Sequence, residues 1–228
     1  MDLAIGANDL AEAYRAPYVC YEQHLATLIR ANDTVLELGA GSGRHTAALA
    51  NTNARVIALD ISSAALTVGQ RRAGGKSNPV CGDMEALPLR DNSIDSVASA
   101  GSLSYGEPFT VDSEIFRVLR PGGSLLLVDS LNGNPLYRLN RWVHYLRGNR
   151  TRSTLKRIPD SRRLAKLARH FEVVELKAFG SFLFLYSTLN QFVGPQRSQE
   201  ICEDLDARFG GGPNGFKFVL AARGFRGP

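Results

Sequence analysis

Short apolar runs, each closed by an acid or a glycine, alternate along this chain with stretches of helical periodicity. Residues 34–38 (TVLEL) form the first run, followed at once by glycines and then by a helix-forming segment over 44–50. Residues 55–59 (RVIAL) lead into Asp60, and Ser62 stands where an N-cap belongs for a helix reaching Arg72, which Gly74 and Gly75 stop. The pattern then predicts a strand over 79–81, a strand over 94–99, a helix over 111–119 and a strand over 124–128 that runs into Asp129. The helix over 111–119 is expected to close at Arg120-Pro121-Gly122-Gly123. Residues 160–170 read as helix, 171–179 as a sixth strand and 216–222 as a seventh. Upstream, 9–30 has helical periodicity, interrupted or restarted near Pro17. Strands separated by helices of this length pair in parallel through right-handed crossovers, so the expected fold is an open α/β sheet.

Composition changes this picture little. A hydrophobic fraction of 44% with 21% charged residues suits a globular chain that buries a full core. The first residues carry no basic leader or apolar core of a signal peptide, and no apolar run reaches the roughly 18–20 residues of a membrane span. A cytoplasmic location is expected. Cys20, Cys81 and Cys202 are far apart and form no CxxC pair, which suggests buried small hydrophobes in a reducing compartment and no metal site.

In open α/β sheets the ligand lies at the carboxyl ends of the strands. Here the early strands end in Glu37 to Gly43, Asp60, Gly82-Asp83, Ser99 to Gly101 and Asp129, which would form one cleft. The dinucleotide fingerprint is G-x-G-x-x-G, but Gly39, Gly41 and Gly43 are spaced G-x-G-x-G. Glu37, two residues before them, would face a pyrophosphate with like charge. A ligand with a cationic head would favour that carboxylate, and S-adenosyl-L-methionine has an ammonium, a sulfonium and no phosphate. Glu37 would then attract the ammonium, directly or through water. Gly39 and Gly41 would admit close backbone approach. Asp60 would accept from the ribose hydroxyls, Asp83 would accept from the adenine amino group, and the Met84 N–H would reach the adjacent ring nitrogen.

Glu37-Leu38-Gly39-Ala40-Gly41-Ser42-Gly43 resembles the first motif of class I S-adenosylmethionine-dependent methyltransferases, and Asp60-Ile61-Ser62 resembles the second. The stretches 82–88 (GDMEALP) and 93–97 (SIDSV) resemble the third and fourth motifs, and 119–125 (LRPGGSL) the lead into the fifth strand. The pattern is closest to type-11 members, which include ubiquinone/menaquinone-type and natural-product enzymes. The resemblance covers roughly residues 30–130. It implies a Rossmann-like, seven-stranded, mostly parallel sheet with helices on both faces and an antiparallel last strand. It also implies a single methyltransferase domain over 1–228, with an N-terminal helical lid at 1–33 and acceptor-side insertions at 131–163 and 180–215. Ile61, Ala100 and a lid tyrosine, Tyr14, join the implied cofactor residues. Many relatives keep a histidine near the position of Tyr105, where this chain reads Ser102-Leu103-Ser104-Tyr105-Gly106, so that base does not carry over.

Methyl transfer from a sulfonium is an in-line displacement in which alignment can contribute about 7–11 kcal/mol, so a dedicated base is optional. His144, in the insertion after the fifth strand, and Tyr105, at the mouth after the fourth, are the catalytic candidates. Asp129, His24 and His45 have structural readings as well, and Tyr18 either closes over the cofactor or packs on a helix.

Residues 138–169 carry eleven basic residues and one acid, Asp160, in a chain whose formal charge is +5. The remainder of the protein is therefore net acidic. Tyr137, Trp142, His144 and Tyr145 are interleaved with the basic residues. Either this is a solvated face, or it meets an anionic partner: a small anionic or carbohydrate acceptor, an acidic membrane face, or RNA. A small-molecule acceptor fits best. An RNA methyltransferase and a non-catalytic nucleoside-binding or NAD-binding protein stay open as alternatives. Phe182, Phe184, Tyr186 and Phe192 suit an apolar pocket, an oligomer contact or core. Nothing in the sequence fixes the oligomeric state.

Overall fold

A computed structural model describes residues 15–146, 151–210 and 212–227. Its centre is one seven-stranded sheet of order β3-β2-β1-β4-β5-β7-β6. The strands are β1 (Thr34–Leu38), β2 (Arg55–Asp60), β3 (Ser77–Cys81), β4 (Ile94–Ala100), β5 (Leu119–Ser130), β6 (Phe171–Phe179) and β7 (Lys217–Phe225). Strand β1 pairs in parallel with β2 and β4, and β4 with β5, while β7 runs antiparallel to both β5 and β6. The expected sheet, with its last strand reversed, is therefore present.

Helices cover both faces: α1 (Arg15–Leu28), α2 (Thr46–Ala50), α3 (Ser63–Arg72), α4 (Pro108–Val118), α5 (Pro135–Leu146), α6 (Arg152–Arg157), α7 (Ser161–Ala168), α8 (Tyr186–Val193) and α9 (Pro195–Phe209). The period-2 alternation of the strands builds two cores. Leu36, Leu38, Leu125 and Leu127 join the α4 and α7 side, whereas Val35, Leu126 and Val128 join α1 and α2. Glu37, on the same side of β1 as Val35, is thereby directed toward α1 and α2.

Local chemistry sets the helix starts. The Ser62 hydroxyl caps α3 by accepting from the Ala65 N–H, as expected. Glu107 caps α4 with Pro108 in the first turn, so this helix begins three residues before the expected 111. Asp160 caps α7. Pro17 falls in the first turn of the described part of α1, which continues past it to Leu28. Strand β5 begins at Leu119, five residues before expectation. Leu119 pairs with Ile94, the register then shifts, and Ser124 pairs with Ser96, so Arg120–Gly123 bulges within the strand. Cys20 and Cys202 are buried, but Cys81 is exposed, because β3 is an edge strand. Tyr186 is a core residue, whereas Phe192 is 80% exposed.

Candidate functional site

The carboxyl ends of β1, β2, β3 and β4 frame a cleft of about 450 Å³. Gly39, Gly41, Asp60, Ile61, Asp83, Met84 and Tyr105 of the expected residues line it. Gly82 and Gly101, which belong to the strand ends expected to form the cleft, line it as well, and so do Leu59, Glu85, Ser102 and Gly106, which the sequence did not single out for this role. Most of these contribute backbone or small side chains, which leave no chemical signature in a sequence.

The glycine loop has a distinct physical reason at each glycine. Gly39 has φ +66°, and a Cβ there would lie 2.3 Å from the Ser102 Cβ. The Ser102 hydroxyl donates to the Leu38 carbonyl at 2.8 Å and shares a 2.7 Å hydrogen bond with Ser99, tying the loop after β4 to the end of β1. Gly43 has φ +76°, and a Cβ would meet the Cα of Gly69 in α3 at 2.4 Å. This third glycine therefore serves helix packing. Gly41 has φ +52° with open space where a Cβ would stand, so it leaves the cleft itself clear.

Asp60 is held at the tip of β2. One carboxylate oxygen accepts from the Gly41 N–H at 2.8 Å, the other from the Ser62 N–H at 2.9 Å. Both oxygens keep further lone pairs for a ligand hydroxyl. Asp83 accepts from the Glu85 N–H at 2.9 Å through one oxygen. Glu85 in turn accepts from the Glu107 N–H at 2.7 Å.

Glu37 and Ala100 are not among the cleft-lining residues. Ala100 closes β4, and the lining passes to the next two residues, Gly101 and Ser102. Glu37 is 3% exposed and accepts from the Thr46 hydroxyl at 2.5 Å at the start of α2. Burial pushes its carboxyl up to about 7, against the opposing effect of the Thr46 hydrogen bond. Beside it, the buried Tyr21 hydroxyl has no hydrogen-bond partner among the described residues.

The remaining candidates divide. Tyr14 lies outside the described residues, and so does the side chain of His144, whose backbone belongs to α5. Tyr105 is 68% exposed at the cleft rim. His45 stacks on Tyr18 at 5.3 Å between ring centroids and sits 3.6 Å from Glu22; burial lowers its pKa. His24 faces Glu175 at 3.8 Å, away from the cleft. Asp129 is buried and accepts from the N–H groups of Leu103 and Ser130, so it holds the loop after β4 in place. The Tyr18 hydroxyl accepts from the Lys217 ammonium at 3.1 Å and lies 4.0 Å from where a Cβ on Gly101 would stand, which puts α1 beside the Gly101 side of the cleft.

Three arginines of the basic segment are occupied within the protein. Arg141 is buried and donates to the Leu131 and Phe216 carbonyls. Arg163 makes a forked pair with Asp112, with its closest contact at 2.7 Å. Arg157 donates to the Tyr105 carbonyl at 2.8 Å, which ties α6 to the rim of the cleft. Next to that contact lies a cavity of about 420 Å³ lined by Lys156, Arg157, Arg162 and Lys166, with Glu107 and Asp160. Arg147 and Arg150 lie outside the described residues.

The sheet order defines a Rossmann-like α/β fold of the class I methyltransferase kind, with a cleft at the carboxyl ends of its strands. Residues 36–127 match the type-11 family model described as a methyltransferase domain. That segment, about two fifths of the chain, is similar to the methyltransferase domain of the type-11 family. A demethylmenaquinone methyltransferase of Clavibacter sepedonicus is 39% identical over 102 residues, covering 43% of this chain and 42% of that protein. Another, of Renibacterium salmoninarum, is 38% identical over 96 residues, covering 42% of this chain and 40% of that protein. The chain thus spans about two fifths of the length of these curated relatives. Among solved structures, geranyl diphosphate C-methyltransferase of Streptomyces coelicolor A3(2), bound to Mg2+, geranyl diphosphate and S-adenosyl-L-homocysteine, superposes with a TM-score of 0.62. It is 18% identical, over 94% of this chain and 82% of that one, a likeness that speaks to the fold.

Proposed function

We propose that this chain transfers a methyl group from S-adenosyl-L-methionine to a small anionic acceptor. The observation that carries the reading is Asp60, fixed by two backbone N–H groups beside a glycine loop that leaves the cleft open at Gly41. The residues fit the cofactor: a strand-end carboxylate for a ribose, Asp83 after the neighbouring strand, and no cationic side chain among the cleft-lining residues to hold a pyrophosphate. When bound, the cofactor supplies an electrophilic methyl on a sulfonium.

The chain's own part is to bind, orient and exclude water. Asp60 and Asp83 would fix the nucleoside, and Glu37 would answer the ammonium. Tyr105 is proposed to line the acceptor path. His144 is proposed as an acceptor contact from its sequence position, and Tyr14 as a lid residue on the same basis. Alignment is worth about 7–11 kcal/mol, and a base would add about 10²–10⁴-fold for a hydroxyl acceptor. We assign the insertions at 131–163 and 180–215 to the acceptor side of a single domain. The cavity with Lys156, Arg157, Arg162 and Lys166, joined to the cleft rim through Tyr105, supports an anionic acceptor. The structural neighbour's own ligand, geranyl diphosphate, is of that class.

The test is calorimetry with S-adenosylhomocysteine and NAD in parallel. The expected result is binding of the first only, weakened about 30-fold or more by Asp60→Asn, which removes the charge and keeps the shape. Preferential binding of NAD, or unchanged affinity in the variant, would refute the assignment.

A further inference from the structure

Helix α5 has an unusual orientation of its apolar residues. Tyr137 and Arg141 are buried against the body of the protein. Leu136, Leu139, Trp142 and Leu146 are 49%, 58%, 53% and 61% exposed. At 3.6 residues per turn these four fall within an arc of about 120°, opposite the buried pair. A helix on a protein surface normally turns its polar side to water. Here the outward side is the apolar one, and it has no cover among the described residues.

The flanks of that stripe are cationic. Arg138 of α5 and Arg152 and Lys156 of α6 line a trough of about 600 Å³ together with Trp142, Tyr145 and Leu155. No aspartate or glutamate occurs from Leu131 to Pro159.

We infer that the outward face of α5, with this trough, docks the protein on an anionic lipid bilayer. Leucines and a tryptophan on one side of a helix, bordered by arginine and lysine, match the depth profile of an interface: hydrocarbon first, then headgroup phosphates. A second copy of the chain fits less well, because it would bring two acid-free cationic strips together. RNA would engage the arginines but leave the four apolar side chains wet. No helix among the described residues is long and apolar enough to cross a membrane, so the contact is interfacial.

Trp142 is the only tryptophan of the chain, so its emission reports on this face alone. The experiment is sedimentation of the full chain with vesicles of pure phosphatidylcholine and of equimolar phosphatidylcholine and phosphatidylglycerol. Fluorescence is followed in the same samples, and S-adenosylhomocysteine affinity is measured alongside. The expected result is partition into the anionic vesicles only, weakened by salt, with a blue-shifted Trp142 emission that brominated lipid quenches. Leu139→Glu with Leu146→Glu should abolish the blue shift. Arg138→Glu with Arg152→Glu should lower partition by about 10-fold or more. All four positions are exposed and outside the cofactor cleft, so S-adenosylhomocysteine affinity should persist in every variant, which separates this inference from the proposed activity. Absence of partition at low salt by a protein that still binds S-adenosylhomocysteine would overturn it. So would partition with unshifted Trp142, a dimer dispersed by the Leu139 and Leu146 changes, or displacement of the vesicles by single-stranded RNA.

Discussion

Glu37 supplies the most exacting prediction. Its carboxyl is buried, holds one hydrogen bond from Thr46, and is pushed up to about 7 from an ordinary 4.5. At ~1.4 kcal/mol per pH unit, that gap costs the folded state about 3 kcal/mol once the carboxyl is ionised. The sign follows from linkage: between 4.5 and about 7 the folded protein holds a proton that the unfolded chain releases. This group therefore favours the folded state most below 4.5, and that advantage is gone above about 7. A cation arriving beside Glu37 reverses the preference, because it stabilises the charged form. If the cofactor's ammonium is that cation, binding must expel the proton. Affinity for S-adenosylhomocysteine should then rise up to tenfold per pH unit below about 7 and level off above it, so that about pH 5 is weaker by up to ~100-fold than about pH 8. Calorimetry in buffers of different ionisation enthalpy should show release of close to one proton per ligand near pH 6. Glu37→Gln preserves the Thr46 contact and removes the charge. It should flatten the profile, weaken binding at about pH 8 by roughly tenfold or more, and raise the melting temperature of the free protein there. A wild-type affinity that is level across this range, or a slope that persists in Glu37→Gln, would refute the pairing.

The two cleft-lining glycines of the loop after β1 should separate stability from binding. Gly39→Ala adds a left-handed backbone penalty of about 1–2 kcal/mol and a collision with Ser102, so both melting temperature and cofactor affinity should fall. Gly41→Ala carries only the backbone penalty and should lose affinity with a much smaller drop in melting temperature. Asp112→Ala leaves Arg163 buried without its carboxylate and should destabilise by about 3–5 kcal/mol in denaturant titration, with S-adenosylhomocysteine affinity retained in the folded fraction. The Asp112 carboxyl is itself raised by burial despite that partner, so acid should weaken this pair early.

Much of the cleft was readable in one dimension because its determinants are local. Asp60 ends a strand and reaches the N–H groups of Gly41 and Ser62, and the same short segment that terminates β2 also begins α3. Ser102 was not readable as the partner of Gly39, since 63 positions separate them and nothing in either neighbourhood announces the contact. The hydrogen bond that Glu37 accepts from Thr46 at the start of α2 was not readable from the strand pattern. The basic run from 138 to 169 was legible as charge but not as allocation. Arg141, Arg157 and Arg163 are spent on carbonyls and on Asp112, which only folding brings within reach.

The sequence alone determined the alternation of strand and helix, the glycine turn and the acids at the strand ends, because each depends on residues within a few positions of one another. Tertiary structure decided the insertion of β7 between β5 and β6. It decided which glycine guards the cleft and which packs on Gly69, and which side of α5 faces water. Helix α5 carries its leucines and Trp142 on one side and Tyr137 and Arg141 on the other, so apolar periodicity alone would bury the side that faces out. Packing against Phe216 and Leu131 buries Tyr137 and Arg141 and leaves Leu139 and Trp142 outside.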